Sequence, residues 1–87
     1  SHTVEDSIYI DPNLTGQGLG KMLLTALIER ARDAGKRQIM AVIGDSDNHA
    51  SIGLHRAMGF APIGIARDIG FKFGRFLDVV YMQRDLR

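Results

Sequence analysis

A glycine-rich segment between a strand-like stretch and a helix constrains this chain most strongly. It contains Gly16, Gly18 and Gly20. Residues 3–10 precede it and are rich in β-branched and aromatic side chains, which favours a strand. After it, side chains recur at spacings of three and four residues, which predicts a helix packed on a core. The face expected to pack comprises Leu19, Met22, Leu23, Ala26, Leu27, Arg30 and Ala31.

A helix that begins at such a segment is suited to binding an anion. The first four N–H groups of a helix lack partners within it, and the helix dipole places positive charge there. Glycines remove the Cβ atoms that would hold a phosphate away from these groups. The segment therefore predicts a phosphate or pyrophosphate site. The alternative is a glycine-rich turn that only precedes an amphipathic helix.

Two well-known phosphate-binding loops do not fit the spacing. A Walker A loop needs a glycine at position 15 and a hydroxyl after Lys21, but Thr15 and Met22 stand there. A dinucleotide-binding loop that starts at Gly16 needs its third glycine at position 21, which is a lysine. An NTPase and an NAD-binding protein are therefore disfavoured.

The rest of the chain predicts an α/β domain of order β-α-β-α-β-β. The first helix spans about residues 18–34, and the mostly apolar stretch 37–44 follows as a buried strand. The polar residues 45–48 supply N-caps for a helix that ends at Gly59. Residues 60–69 and 75–84 predict an antiparallel hairpin, so the sheet is expected to be mixed.

Composition excludes several classes of protein. The 87 residues allow one small domain, and the absence of cysteine excludes disulfides, thiolate metal sites and a cysteine nucleophile. The net charge of +1, with both signs interspersed, gives no indication of nucleic-acid or membrane binding. No apolar run is long enough to span a bilayer, and no signal-peptide pattern is present, which favours the cytoplasm.

Two motifs resemble those of one enzyme superfamily. The segment Thr15-Gly16-Gln17-Gly18-Leu19-Gly20 resembles motif A of the GNAT acyl-CoA N-acyltransferases, although Thr15 replaces the usual glutamine or arginine. The segment from Asn48 through Ser51, Leu54 and His55 to Gly59-Phe60 resembles their motif B. Both occur in the order and at the separation that the superfamily shows.

The resemblance is closest to the branch of phosphinothricin and methionine sulfoximine/sulfone acetyltransferases. Residues 3–9, 41–43 and 70–86 also resemble that branch. The similarity covers only the C-terminal half of that family, so residues 1–87 are interpreted as the C-terminal portion of a GNAT domain. The chain is then a fragment, a protein that completes its sheet by oligomerising, or a short family member. An open sheet edge makes a homodimer plausible.

The resemblance implies transfer of acetyl from acetyl-CoA to a primary amine, directly within a ternary complex and without a metal. The acceptor is expected to be a small molecule such as an amino acid or an analogue of phosphinothricin, methionine sulfoximine or methionine sulfone. Missing N-terminal elements or a second copy would complete the acceptor pocket. Residues implied to contact acetyl-CoA are Ile8, Tyr9, Ile10, Gly16, Gln17, Gly18, Leu19, Gly20, Lys21 and Asn48.

Two residues are candidates for proton transfer. Glu5 would act as the general base if burial near the substrate ammonium tunes its pKa. His55 would protonate the departing thiolate or assist the base; alternatively, it is a packed helix histidine with a structural bond. Lys72 and Arg75 could meet an anionic acceptor, or lie on a solvated turn. Phe71, Phe73 and Phe76 are expected in the core or a pocket wall.

Two other functions remain open from the sequence. A non-catalytic acyl-CoA-binding or assembly module could be built from the same half-fold, and Thr15 favours that reading mildly. A generic nucleotide binder would bind ATP as well as coenzyme A, but the spacing of the glycines disfavours it.

Overall fold

The computed structural model describes residues 2–6, 18–44, 48–72 and 74–87. These ranges contain six elements in the predicted order. These are strand β1 (Thr3–Asp6), helix α1 (Leu19–Asp33), strand β2 (Gln38–Gly44), helix α2 (His49–Ala57), strand β3 (Ala61–Lys72) and strand β4 (Arg75–Asp85). The α/β class and the β-α-β-α-β-β order are therefore confirmed.

The strands form one mixed sheet of order β1-β2-β4-β3. β1 pairs with β2 in parallel, with Thr3 opposite Gln38. β4 is antiparallel to both β2 and β3. β2 therefore lies inside the sheet, as its apolar composition indicates, and alternate residues Ile39, Ala41 and Ile43 are buried on one face.

The core forms where α1 packs on this face of the sheet. Leu24, Ile28 and Ala31 of α1 are buried and join Ile39, Ala41, Val80 and Met82 in one apolar cluster. The prediction of which side chains of α1 pack on the core was largely wrong. Leu19, Met22 and Leu23 are 58%, 69% and 49% exposed. α1 carries two rows of apolar side chains, and the described part of the chain covers only the row at positions 24, 28 and 31.

The β3–β4 hairpin contains an irregularity held by one carboxylate. Three residues, 67–69, lie opposite Asp78, because Ala66 pairs with Val79 and Gly70 pairs with Leu77. Asp68 has a φ of 54°, and its N–H donates to Oδ1 of Asp78 at 3.0 Å. Arg67 donates to Oδ2 of the same carboxylate at 2.8 Å. Asp78 therefore fixes the shape of this β-bulge.

The aromatic residues at the tip of the hairpin lie outside the core. Phe71 and Phe76 face each other across the two strands, with ring centroids 5.1 Å apart, and are 66% and 65% exposed. The prediction that they lie in the core was wrong, since both rings are exposed and contact each other at the tip of the hairpin, Phe71 on the edge strand β3 and Phe76 on the inner strand β4. The alternative of a pocket wall stays a prediction. Phe73 lies outside the described residues.

Gly59 ends α2 in a conformation that a side chain would strain. Its φ is +94°, and an added Cβ would lie 3.0 Å from Nε of Arg84, which itself donates to the Met58 carbonyl. We expect Gly59→Ala to lower the free energy of unfolding by about 1–3 kcal/mol. Thermal denaturation followed by circular dichroism measures the change.

Gly53, in the middle of α2, provides the matched control. Apart from the backbone of α2 itself, a Cβ there meets no atom of the described residues within 4 Å. Gly53→Ala is expected to raise stability by about 0.5–1 kcal/mol, because alanine is the better helix former. Equal effects of the two substitutions would contradict the role assigned to Gly59.

Candidate functional site

The amino ends of both helices lie at the same edge of the sheet. α2 begins five residues after Gly44, the last residue of β2. α1 ends five residues before β2 begins, so the chain reverses direction and α1 runs antiparallel to β2. The amino end of α1 therefore lies towards the carboxyl end of β2. Ligands of open α/β sheets bind at this edge, beyond the carboxyl ends of parallel strands.

The amino end of α1 is shaped to accept a negatively charged group. Gly18 is its N-cap, with φ 74°, and its carbonyl accepts from the Met22 N–H at 3.1 Å. Among the described residues, a Cβ at Gly18 would meet no atom within 4 Å beyond its chain neighbours, so these residues leave the space beside the backbone open. The first turn carries no acidic residue, and Lys21 within it is exposed. The positive end of the helix dipole is therefore not neutralised by a carboxylate of this turn.

α2 presents a buried polar face at the same edge. Asn48, Ser51 and His55 are only 5%, 1% and 1% exposed. Their spacing of three and four residues places them on one face of the helix. Oδ1 of Asn48 accepts from the Ser51 N–H at 3.2 Å, and the Asn48 carbonyl accepts from the Ile52 N–H at 3.1 Å. Asn48 is thus the N-cap of α2, as its position in the sequence predicts.

The hydrogen bond of His55 determines which ring nitrogen carries the proton. Nδ1 lies 2.8 Å from the Ser51 carbonyl oxygen, which can only accept. Nδ1 must therefore be protonated, and in the neutral ring Nε2 is a proton acceptor. The ring also meets Phe60 edge to face, with centroids 5.0 Å apart.

The other predicted site residues lie on four different elements. Glu5 is exposed on β1, opposite Met40 of β2, so the described residues do not supply the burial expected around it. Leu19 is exposed and Gly20 half-buried in the first turn of α1. Lys72 and Arg75 face each other at the hairpin turn, and both are exposed. The site therefore divides into a helix-terminus region and a separate basic pair.

Several predicted contacts lie outside the described residues. They are Ile8, Tyr9, Ile10, Gly16 and Gln17. The described part of the chain contains no group of three histidine or acidic side chains that could hold a metal ion. None of the helices in the described ranges is both long and apolar enough to cross a membrane.

Ser51 stands in motif B, but the sequence assigned no role to its side chain. Its hydroxyl is buried and has no hydrogen-bond partner among the described residues. The available signal was its spacing from Asn48 and His55, which places all three on one helix face.

The chain belongs to the acetyltransferase (GNAT) family, which residues 1–60 match. It is 52% identical to phosphinothricin N-acetyltransferase of Alcaligenes faecalis over 97% of its own length and 43% of the relative's. It is 51% identical to an L-methionine sulfoximine/L-methionine sulfone acetyltransferase of Pseudomonas aeruginosa, over 97% of this chain and 48% of that protein. The chain thus spans about half the length of the curated relatives it matches.

Solved structures show the same half-fold. A phosphinothricin acetyltransferase from Sinorhizobium meliloti, in complex with acetyl-CoA, matches with a TM-score of 0.84 and 49% identity, over 97% of this chain and 45% of that one. The yncA protein of Salmonella typhimurium, with its cofactor acetyl-CoA, matches with a TM-score of 0.86 and 45% identity. The match covers 99% of this chain and 49% of that one. The predicted family and half-fold are therefore confirmed.

Proposed function

We propose that this chain forms the acetyl-CoA-binding and proton-transfer part of an N-acetyltransferase. The acceptor is the primary amine of a small molecule, an amino acid or an analogue of the phosphinothricin, methionine sulfoximine or methionine sulfone type. The observation that carries the proposal is that two features lie at the same edge of the sheet. These are a helix N-terminus without acidic residues, at Gly18, and the buried polar face of α2, which contains His55.

The amino end of α1 suits the pyrophosphate of acetyl-CoA. The N–H groups of the segment from Gly16 to Lys21, together with the helix dipole, would bind the phosphate oxygens. Lys21 adds a positive charge within this segment. The pantetheine arm would then extend between the ends of β1 and β2, where the backbone of residues 8–10 and the amide of Asn48 would contact it. These contacts are supported by the family resemblance and by the open space beside Gly18.

In the proposed reaction the amine nitrogen attacks the thioester carbonyl carbon, and the carbon–sulfur bond breaks. The ammonium group must first lose one proton to a base. After the attack the nitrogen gives up a second proton as the amide forms, and the departing thiolate takes up this proton, so that coenzyme A leaves as the thiol. Glu5 is our candidate for the base, because it is a carboxylate on β1, the strand that pairs in parallel with β2, whose carboxyl end borders the site. The burial expected around it would come from the remaining half of the fold or from a second copy of the chain. His55 is better suited to accept a proton through Nε2 than to supply one, since its Nδ1 proton is held by the Ser51 carbonyl. We therefore assign it to assisting the base.

The basic pair at the hairpin turn is our candidate for binding an anionic group of the acceptor. Lys72 and Arg75 form a basic pair that suits the carboxylate or phosphinate of an amino-acid analogue.

The exposed apolar row of α1 would be covered by the remaining half of a full-length fold or by a second copy of the chain. Sedimentation velocity tests the second possibility, because a strictly monomeric chain would contradict a homodimer.

A chimeric enzyme tests the proposed function. In it, the 87 residues replace the matching half of the Alcaligenes phosphinothricin N-acetyltransferase. We expect the chimera to release coenzyme A from acetyl-CoA when methionine sulfone, methionine sulfoximine or phosphinothricin is present. A folded chimera that binds acetyl-CoA but acetylates none of these amines, nor spermidine, would contradict the proposal and support a non-catalytic acyl-CoA-binding module.

A further inference from the structure

We propose that Arg84 is a positioning residue for His55. Its guanidinium, which comes from strand β4, bonds the carboxyl end of α2 and thereby fixes the place of the imidazole. The inference rests on the proposed function, in which His55 assists the base. Arg84 is assigned no contact with either substrate, so its effect on the reaction passes through α2.

Arg84 is a charged residue in an otherwise apolar row of β4. Side chains alternate along a strand, so Val80, Met82 and Arg84 lie on the face of the sheet on which α1 packs. Val80 and Met82 are buried in the core, whereas Arg84, directly opposite Ile39 of β2, is half-buried. A leucine or methionine would suit this place better if it served packing alone, because a guanidinium that leaves water loses hydration.

The guanidinium is held by two backbone carbonyls. Nε donates to the Met58 carbonyl at 2.8 Å, and Nη1 donates to the Asp85 carbonyl at 3.0 Å. Gly59 makes room for the group, because a Cβ there would lie 3.0 Å from Nε and 3.6 Å from Cζ. Met58 is the C-cap of α2, where the negative end of the helix dipole favours a cation. Arg84 therefore ties the carboxyl end of α2 to the sheet.

His55 is hydrogen-bonded to the residue that Arg84 holds. The Met58 N–H donates to the His55 carbonyl at 3.2 Å, and the Phe60 N–H donates to the same carbonyl at 2.9 Å. α2 spans only nine residues, so the loss of an anchor at its carboxyl end would shift the turn that carries the imidazole. A misplacement of about 1 Å in an active site can cost about 100-fold in rate.

The alternative is that Arg84 only stabilises the fold. Arg84→Met keeps a long side chain that fills irregular space but removes the donors to Met58 and Asp85. Arg84→Lys keeps the charge and a donor for the Met58 carbonyl, without the planar group that bonds two carbonyls at once. If Arg84 serves stability alone, turnover falls only as far as the folded fraction falls.

The test measures kcat, KM and the melting temperature of the chimeric enzyme with methionine sulfone as acceptor. We expect Arg84→Met to lower kcat by about 10-fold in the fully folded protein, with the KM for acetyl-CoA changed by less than about 3-fold. Arg84→Lys should recover most of the lost turnover. His55→Ala should lower kcat at least as much, and adding Arg84→Met to it should lower kcat no further, because both changes act on one imidazole.

Arg32→Met provides the matched control. Arg32 lies on α1, and its Nε also donates to a backbone carbonyl, that of Leu86, at 3.4 Å. This carbonyl follows β4 and does not belong to α2. Arg32→Met therefore removes the same kind of bond and the same charge, and it should leave kcat unchanged.

Three results would overturn the inference. An unchanged kcat in Arg84→Met would show that the bond to Met58 does not position the imidazole. Loss of folding, or a loss of turnover that the folded fraction explains, would leave Arg84 with a role in stability alone. A further fall in kcat when Arg84→Met is added to His55→Ala would show that Arg84 acts by another route. Failure of the proposed function looks different, because the unmodified chimera would then acetylate none of the amines.

Discussion

Glu5→Gln is expected to lower the turnover number of the chimeric enzyme by about 10²–10⁴-fold, the usual contribution of a positioned general base. Glutamine has nearly the same shape as glutamate but cannot accept the proton that an ammonium substrate must lose. Acetyl-CoA affinity should be unchanged, because the amine and not the thioester is the partner of Glu5. Steady-state kinetics with methionine sulfone, together with an acetyl-CoA titration, measures both quantities.

Glu29→Gln controls for the loss of one negative charge. Glu29 is exposed on α1, and its replacement should leave turnover unchanged. If Glu5→Gln retains full turnover, Glu5 is not the base. If Glu5→Gln lowers acetyl-CoA affinity by the same factor as the turnover number, Glu5 supports the cofactor site instead.

Gly18→Asp is expected to weaken acetyl-CoA binding by more than about 100-fold. Gly18 is the N-cap of α1, and an aspartate there would place a carboxylate beside the proposed pyrophosphate site. Two unit charges about 4 Å apart near a protein surface repel by roughly 4 kcal/mol before screening by salt, which corresponds to about a thousandfold in affinity. Calorimetric titration of the chain with acetyl-CoA measures the loss.

Gly18→Asn separates this repulsion from backbone strain. Asparagine has nearly the same shape as aspartate, and both tolerate the left-handed conformation that Gly18 adopts at φ 74°. We expect the asparagine variant to bind within about 10-fold of the unmodified chain. Equal losses in the two variants would mean that conformation, and not charge, controls binding at this position.

The sequence predicted the elements well because their signals are local. β-branched runs, helical periodicity and the glycine that follows α2 depend on neighbouring residues, and the order of elements was confirmed. The cap formed by Asn48 is equally local, since its side chain bonds an N–H only three residues away. The motifs that carry the family resemblance lie at the amino ends of α1 and α2, and the site assigned to these helix ends stays a prediction.

The errors concern features that depend on distant parts of the chain. Which apolar row of α1 is buried depends on the shape of the sheet, and the row that contains Leu24 packs whereas the row that contains Met22 does not. The exposure of Phe71 and Phe76 depends on how far the hairpin extends beyond the helices. The buried hydroxyl of Ser51 could not be recognised either, because burial and a missing partner are properties of the folded chain.

The most direct test of the central claim is a calorimetric titration of acetyl-CoA into the folded 87-residue chain. We predict saturable binding of acetyl-CoA. Adenosine 3′,5′-bisphosphate should compete with acetyl-CoA for the site, and ATP at the same concentration should compete less well. No binding by a chain that circular dichroism shows to be folded would contradict the claim that these residues carry the acetyl-CoA site.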